Sequence, residues 1–135
     1  MIDKKVSNSL SLQKIKFILG DFFEKEVENQ ITGNFDLILA SYSLCFNTQE
    51  KIEKNLPFYL KKINPDGVFL LYDFSYPKEE VVSKRQNLWG EMWFLNLLNN
   101  YFNCFEIESQ ELYEKEHDHT HHIFQLVARI KNTEI

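Results

Sequence analysis

Three short apolar runs, each closed by small or polar residues, constrain this chain more than any other feature. KIKFILGD (14–21) stops at Gly-Asp, FDLILA (35–40) stops at Ser-Tyr-Ser, and GVFLLYDF (67–74) runs out at an Asp-Phe-Ser sequence. None alternates cleanly between apolar and polar positions, which is the pattern of strands covered on both faces, as in parallel sheets. Between the second and third runs, Asn47 with Glu50 three residues later reads as a helix start. Ile52, Leu56, Tyr59, Leu60 and Ile63 then form one apolar stripe that ends at the turn sequence Asn64-Pro65-Asp66-Gly67. The segment is a strand, helix, strand crossover, with a kink or restart expected near Asn55 because Pro57 removes a helical hydrogen bond.

A second helix is expected over 78–101, with Leu88, Met92, Leu95 and Phe102 at helical spacing and Trp89 and Trp93 beside them, a stripe read as core. The period then changes. In CFEIESQELY, Phe105 and Ile107 alternate with Glu106 and Glu108, and HHIFQLVARIK supplies a second strand, so the chain closes on an antiparallel pair. The element order gives an α/β domain, mostly parallel with an antiparallel finish. At 135 residues, of which 44% are hydrophobic, the chain is expected to form one domain, 1–135.

Several function classes are excluded at this point. The net charge of -5 and basic residues scattered as pairs such as Lys61-Lys62 and Lys84-Arg85 leave no stripe for neutralising phosphates, so neither nucleic acid nor an anionic membrane is an expected partner. MIDKKVSNSLSLQ has no apolar run behind its lysines, and GVFLLYDF is far below spanning length, so a cytoplasmic protein is expected. The two cysteines, Cys45 and Cys104, lack metal-like spacing and read as reduced thiols used as small apolar residues. The four glycines, Gly20, Gly33, Gly67 and Gly90, are so dispersed that no glycine-rich phosphate loop can be written anywhere.

In an open parallel sheet, ligands bind beyond the carboxyl ends of the strands. Those ends here are GDF, ASYSLCF and YDFSY. Gly20-Asp21 fits a plain strand exit in which Asp21 bonds nearby amides, and it equally fits an adenine edge recognised by Asp21 and the amide of Phe22.

Taken in order, IKFILGDFFE, GNFDLILASYSLCF and LPFYLKKINPDGVFLLYDF resemble the middle and C-terminal portion of the S-adenosylmethionine-dependent methyltransferases with a Rossmann-like fold. ASYSLCF together with HHIFQLVARIK looks most like the tellurite-resistance-type and neighbouring small-molecule branches. The resemblance implies a partial Rossmann-like sheet and S-adenosylmethionine as cofactor. Asp21 and Phe22 would face its adenine, Ser41 and Tyr42 would flank the methionine part and the transferring methyl, and Asp3 would bond the ribose hydroxyls. The family's first strand, its glycine-rich turn and the following helix have no counterpart in this sequence. That first strand lies beside the fourth in the family, so FDLILA is expected to present an unpaired apolar edge. A homodimer, or a chain supplying the missing N-terminal half, is the expected cover.

Methyl transfer from a sulfonium mainly needs alignment in a dry pocket. Tyr42, Tyr72, Asp73 and Tyr76 are placed to shape the side of a small-molecule acceptor, with Tyr42 and Asp73 the catalytic candidates. Asp73 fits either proton acceptance or capping of the next helix. Two rivals remain at this stage. One is a catalytically inactive remnant of the same fold that acts as a binding or assembly module. The other uses the run His117, His119, His121, His122, where alternate residues share a strand face, to hold zinc or copper, although a polar hairpin explains that run and no metal ligand set is assigned.

Overall fold

The computed structural model describes residues 15–75, 89–116 and 118–131. The chain divides into two compact units at Thr32/Gly33, and each is described by itself.

In the first unit, residues 15–19 form no strand, contrary to the expectation for KIKFILGD. A strand needs a neighbour's N–H and C=O groups as well as an apolar sequence, and no ladder reaches this segment among the described residues. Gly20 then takes φ +144°, and a Cβ there would lie 2.7 Å from Val27 Cγ2, so glycine is required for this turn to close on helix α1 (Lys25–Glu28).

The second unit runs through β1 (Phe35–Ser41), a 3-10 turn (Leu44–Phe46), α2 (Gln49–Leu60), β2 (Ile63–Phe74), α3 (Gly90–Leu98), β3 (Cys104–Glu114) and β4 (His119–Arg129). The sheet order is β1-β2-β4-β3. β1 pairs with β2 in parallel, and β4 joins β2 and β3 antiparallel. The α/β class, the crossover and the closing hairpin are therefore as the sequence implies.

Four local readings change. Helix α2 is capped by Thr48, whose Oγ1 accepts from the backbone N–H of Lys51 at 3.1 Å, while Asn47 instead donates its side-chain amide to Ser43 O. The helix also continues unbroken through Pro57, which falls near its end, where the last turns are held by other bonds such as Lys61 N–H to Pro57 O at 3.0 Å. Asn64-Pro65-Asp66-Gly67 lies within β2 as a bulge, because the register steps from Phe35↔Ile63 to Leu37↔Val68. Gly67 lets the two strands close there: a Cβ would stand 2.6 Å from Ile63 Cγ2 and 2.9 Å from Asp36 O. Lastly, α3 buries Phe94 and Leu98, while Met92 is 63% exposed. Its sequence is apolar nearly all round, so spacing alone does not select a face.

The core lies on one face of the sheet. Phe69, Leu71 and Asp73 of β2 stand in register with Ala128, Leu126 and Phe124 of β4, and all six are buried. Phe94 of α3 packs 5.9 Å from Phe124, and Phe102 stacks on Phe69 at 6.4 Å. Ile52, Leu56 and Leu60 of α2 are buried as well. On the opposite face Leu37 and Leu39 remain 55% and 54% exposed.

Candidate functional site at the strand ends

The carboxyl ends of β1 and β2 finish together, with Ser41 opposite Tyr72. The chain then leaves the sheet sharply. Tyr42 donates its backbone N–H to Tyr72 O at 2.8 Å while adopting φ +52°, a left-handed conformation that a bulky side chain rarely takes. Its ring sits 5.0 Å from Phe74. The turn continues into Leu44 and Cys45, both buried.

Asp73 is the other unusual residue here. It is 0% exposed; its Oδ1 accepts from the backbone N–H of Phe74 at 2.8 Å, and its Oδ2 has no hydrogen-bond partner among the described residues. Burial pushes its carboxyl above the usual range, against the opposing effect of the Phe74 N–H. The Cys45 thiol lies beside it and is itself pushed up to about 12, first by burial and then by the Asp73 charge. The thiol nevertheless directs its weak donor toward Tyr42 O, at 3.7 Å. Asp73 does not cap α3, whose N-cap is Trp89.

Two further bonds tie α3 to the strand ends. Trp89 Nε1 donates to Asn47 O at 2.8 Å, and the buried Ser75 donates its hydroxyl to Glu91 Oε2 at 2.6 Å. Neither pairing is legible from sequence, since each joins residues of ordinary type across a long separation. Cys45 beside Asp73 is the same kind of miss.

The structure thus brings Ser41, Tyr42 and Asp73 to one end of the sheet. Asp21 and Phe22 belong to the first unit. There Asp21 Oδ1 accepts from the backbone N–H of Phe23 at 2.9 Å, the local turn bond that is the simpler of the two readings of Gly20-Asp21. Phe22 packs edge-on against Phe23 with ring centroids 4.4 Å apart. Asp3 and Tyr76 lie outside the described residues. On the sheet's outer face a hollow of about 50 Å³ is lined by Tyr72, Glu108, Gln110, Ile123, Phe124 and Gln125. It is much too small for a nucleoside, since small-molecule sites run from about 300 Å³ upward.

Of the histidine run, His121 Nε2 lies 2.9 Å from Glu114 Oε2, and His122 Nδ1 lies 3.4 Å from Glu111 Oε1, both across the β3–β4 ladder. Among the described residues no group of three or more His, Cys, Asp or Glu is placed to hold a metal ion, and no helix is long and apolar enough to cross a membrane.

No protein-family profile and no curated protein matches the sequence. Solved structures do match. TehB from Haemophilus influenzae aligns with a TM-score of 0.54 at 16% identity, over 76% of this chain and 37% of that one. An O-methyltransferase family protein from Burkholderia thailandensis aligns at 0.61 and 10%, over 90% of this chain and 37% of that one. The 1,6-didemethyltoxoflavin-N1-methyltransferase of Burkholderia thailandensis, solved with 1,6-didemethyltoxoflavin and S-adenosylhomocysteine, aligns at 0.50 and 17%, over 77% and 48%. This chain spans less than half the length of each of these three structures. Likeness at such identity is likeness of fold, and over the part it spans this chain has the fold of the S-adenosylmethionine-dependent methyltransferases.

Proposed function

We propose that this chain acts in methyl transfer from S-adenosylmethionine to a small-molecule acceptor, with the ends of β1 and β2 as the floor of the cofactor site. The observation that carries the reading is the placement of Tyr42. It takes its left-handed turn immediately after Ser41, where the two parallel strands end in register, and open α/β sheets bind ligands at this place. The bound S-adenosylhomocysteine of the toxoflavin methyltransferase supports the choice of cofactor.

In this reading Ser41 and Tyr42 flank the methionine part of the cofactor, and the Tyr42 ring, set against Phe74, shapes the acceptor side. Asp73, beneath them, keeps the turn in place through its neighbourhood with Cys45. Asp21 and Phe22 contribute the adenine contacts, and Asp3 the ribose contact. The cofactor supplies an electrophilic methyl group that needs no activation by the protein. The residues of this chain orient it and exclude water. The sequence contains no glycine-rich loop, and the wall that such a loop builds comes in this proposal from a second chain.

Calorimetric titration with S-adenosylhomocysteine tests the proposal. Micromolar binding, weakened at least about tenfold by Tyr42→Ala and by Asp21→Ala, is the expected result, each tenfold being about 1.4 kcal/mol. Absence of heat at millimolar ligand, with the protein folded, would leave a fold without the activity, acting as a binding or assembly module.

A further inference from the structure

β1 is a terminal strand, and the direction of its free groups can be worked out. Tyr42 N–H bonds to Tyr72 O, and Ser41 stands opposite Tyr72. In a parallel ladder, alternate residues turn both N–H and C=O to the same neighbour. Ile38 and Ala40 therefore share the direction of Tyr42, toward β2, and Leu37, Leu39 and Ser41 turn theirs to the open side.

Natural edge strands are normally blunted by lysine, proline, a bulge or a covering element. Leu37 to Ser41 has none of these: the run is Leu-Ile-Leu-Ala-Ser, and the irregularity in pairing falls before Leu37. The nearest charge, Asp36, accepts a hydrogen bond from Asn64 Nδ2 at 2.8 Å. Leu37 and Leu39 are more than half exposed and Phe35 is 37% exposed.

The geometry points to a second copy of this chain as the occupant, paired antiparallel along β1 across a two-fold axis. The strand is self-complementary in that arrangement. With the axis at Ile38, Leu37 stands opposite the partner's Leu39 and Phe35 opposite the partner's Ser41. Open-side residues then meet open-side residues at every step, as an antiparallel ladder requires. The exposed leucines of both copies join into one apolar row on a single face, and no charge is buried. In the same register the partner's Phe35 stands against Ser41, so the second copy also walls the strand end. This pairing follows from backbone geometry and holds whether or not the chain binds the cofactor.

An edge ladder with one apolar row falls toward the small end of specific interfaces, below about 1,200 Å², so the dimer is expected to dissociate within the micromolar range. Sedimentation velocity on the whole chain across that range should show a concentration-dependent monomer–dimer exchange, and Leu39→Lys should leave a monomer over the same range with unchanged circular dichroism. Hydrogen exchange on the unmodified chain gives a second readout, in which the amides of Leu37, Leu39 and Ser41 slow at least about tenfold as the dimer forms. A monomer at all concentrations overturns the inference. So do species larger than a dimer, a dimer that survives Leu39→Lys, or edge amides whose exchange is independent of concentration.

Discussion

Replacing Asp73 by asparagine isolates the energetics of the strand-end cluster. The carboxyl is wholly buried, its Oδ2 has no partner among the described residues, and burial raises its pKa in the fold. In the unfolded chain it titrates as an ordinary aspartate, near pH 4. Between that value and its raised folded value, the native state binds more protons than the unfolded one, so stability falls as pH rises, by about 1.4 kcal/mol for each pH unit. Above the folded value the loss is complete and the slope returns to zero. The asparagine of Asp73→Asn cannot titrate, yet it keeps an oxygen for the Phe74 N–H. Urea unfolding of the two proteins side by side should therefore give stabilities within about 1 kcal/mol of each other near pH 4, with the wild type falling progressively behind as pH rises. For a domain of about 100 residues each kcal/mol appears as a difference of roughly 4–8 °C in Tm. The difference between the two curves removes every titration the proteins share. If the wild type instead gained on the variant between about pH 4 and pH 8, Asp73 would be ionised and paired in the fold, and the burial argument would be refuted.

Other consequences are more local. With its thiol pushed up to about 12, Cys45 should react with an aromatic disulfide reagent only on unfolding, since at pH 8 about one molecule in ten thousand carries the thiolate. Equal, fast modification of Cys45 and Cys104 in the native protein would contradict this. Gly67→Ala should destabilise by about 1–3 kcal/mol in urea titration, because its Cβ meets both Ile63 and the Asp36 carbonyl. Phe94→Ala should cost about 3–5 kcal/mol and Met92→Ala less than about 0.5, a contrast that tests which face of α3 is inward.

The sequence reads well where one physical cause dominates. FDLILA and GVFLLYDF are continuous apolar runs, with one helix between them, and the parallel pair follows. CFEIESQELY alternates, and the antiparallel ladder with HHIFQLVARIK follows as well. It reads poorly where two causes compete. Asn64-Pro65-Asp66-Gly67 has turn composition, but lateral pairing with β1 absorbs it into β2 as a bulge. KIKFILGD has strand composition but acquires no ladder among the described residues, and Ile15, Phe17 and Leu19 stay exposed. Of the site, Ser41, Tyr42 and Asp73 are legible as residues at strand ends. The left-handed turn of Tyr42, and the juxtaposition of Cys45 with Asp73, are not, because both depend on how the chain leaves the sheet and not on residue type.

That exit concentrates two destabilising features at one place. A tyrosine at φ +52° costs roughly 1–2 kcal/mol relative to an ordinary backbone conformation. A buried carboxyl with an unpartnered oxygen costs roughly 1–3 kcal/mol more. Elsewhere in the second unit the core is conventional: Phe69, Leu71, Leu126 and Ala128 fill a sheet face with apolar atoms. A glycine after Ser41 and an apolar residue at position 73 would relieve both features without altering the sheet. Stability alone therefore gives no reason for Tyr42 or Asp73, and the two occur together at the strand ends where this fold class binds its ligands. Strain placed this way argues for a ligand-facing role and does not identify the ligand. A thermal melt can measure what the two residues cost, but only titration with the cofactor's demethylated product can show what that cost is for.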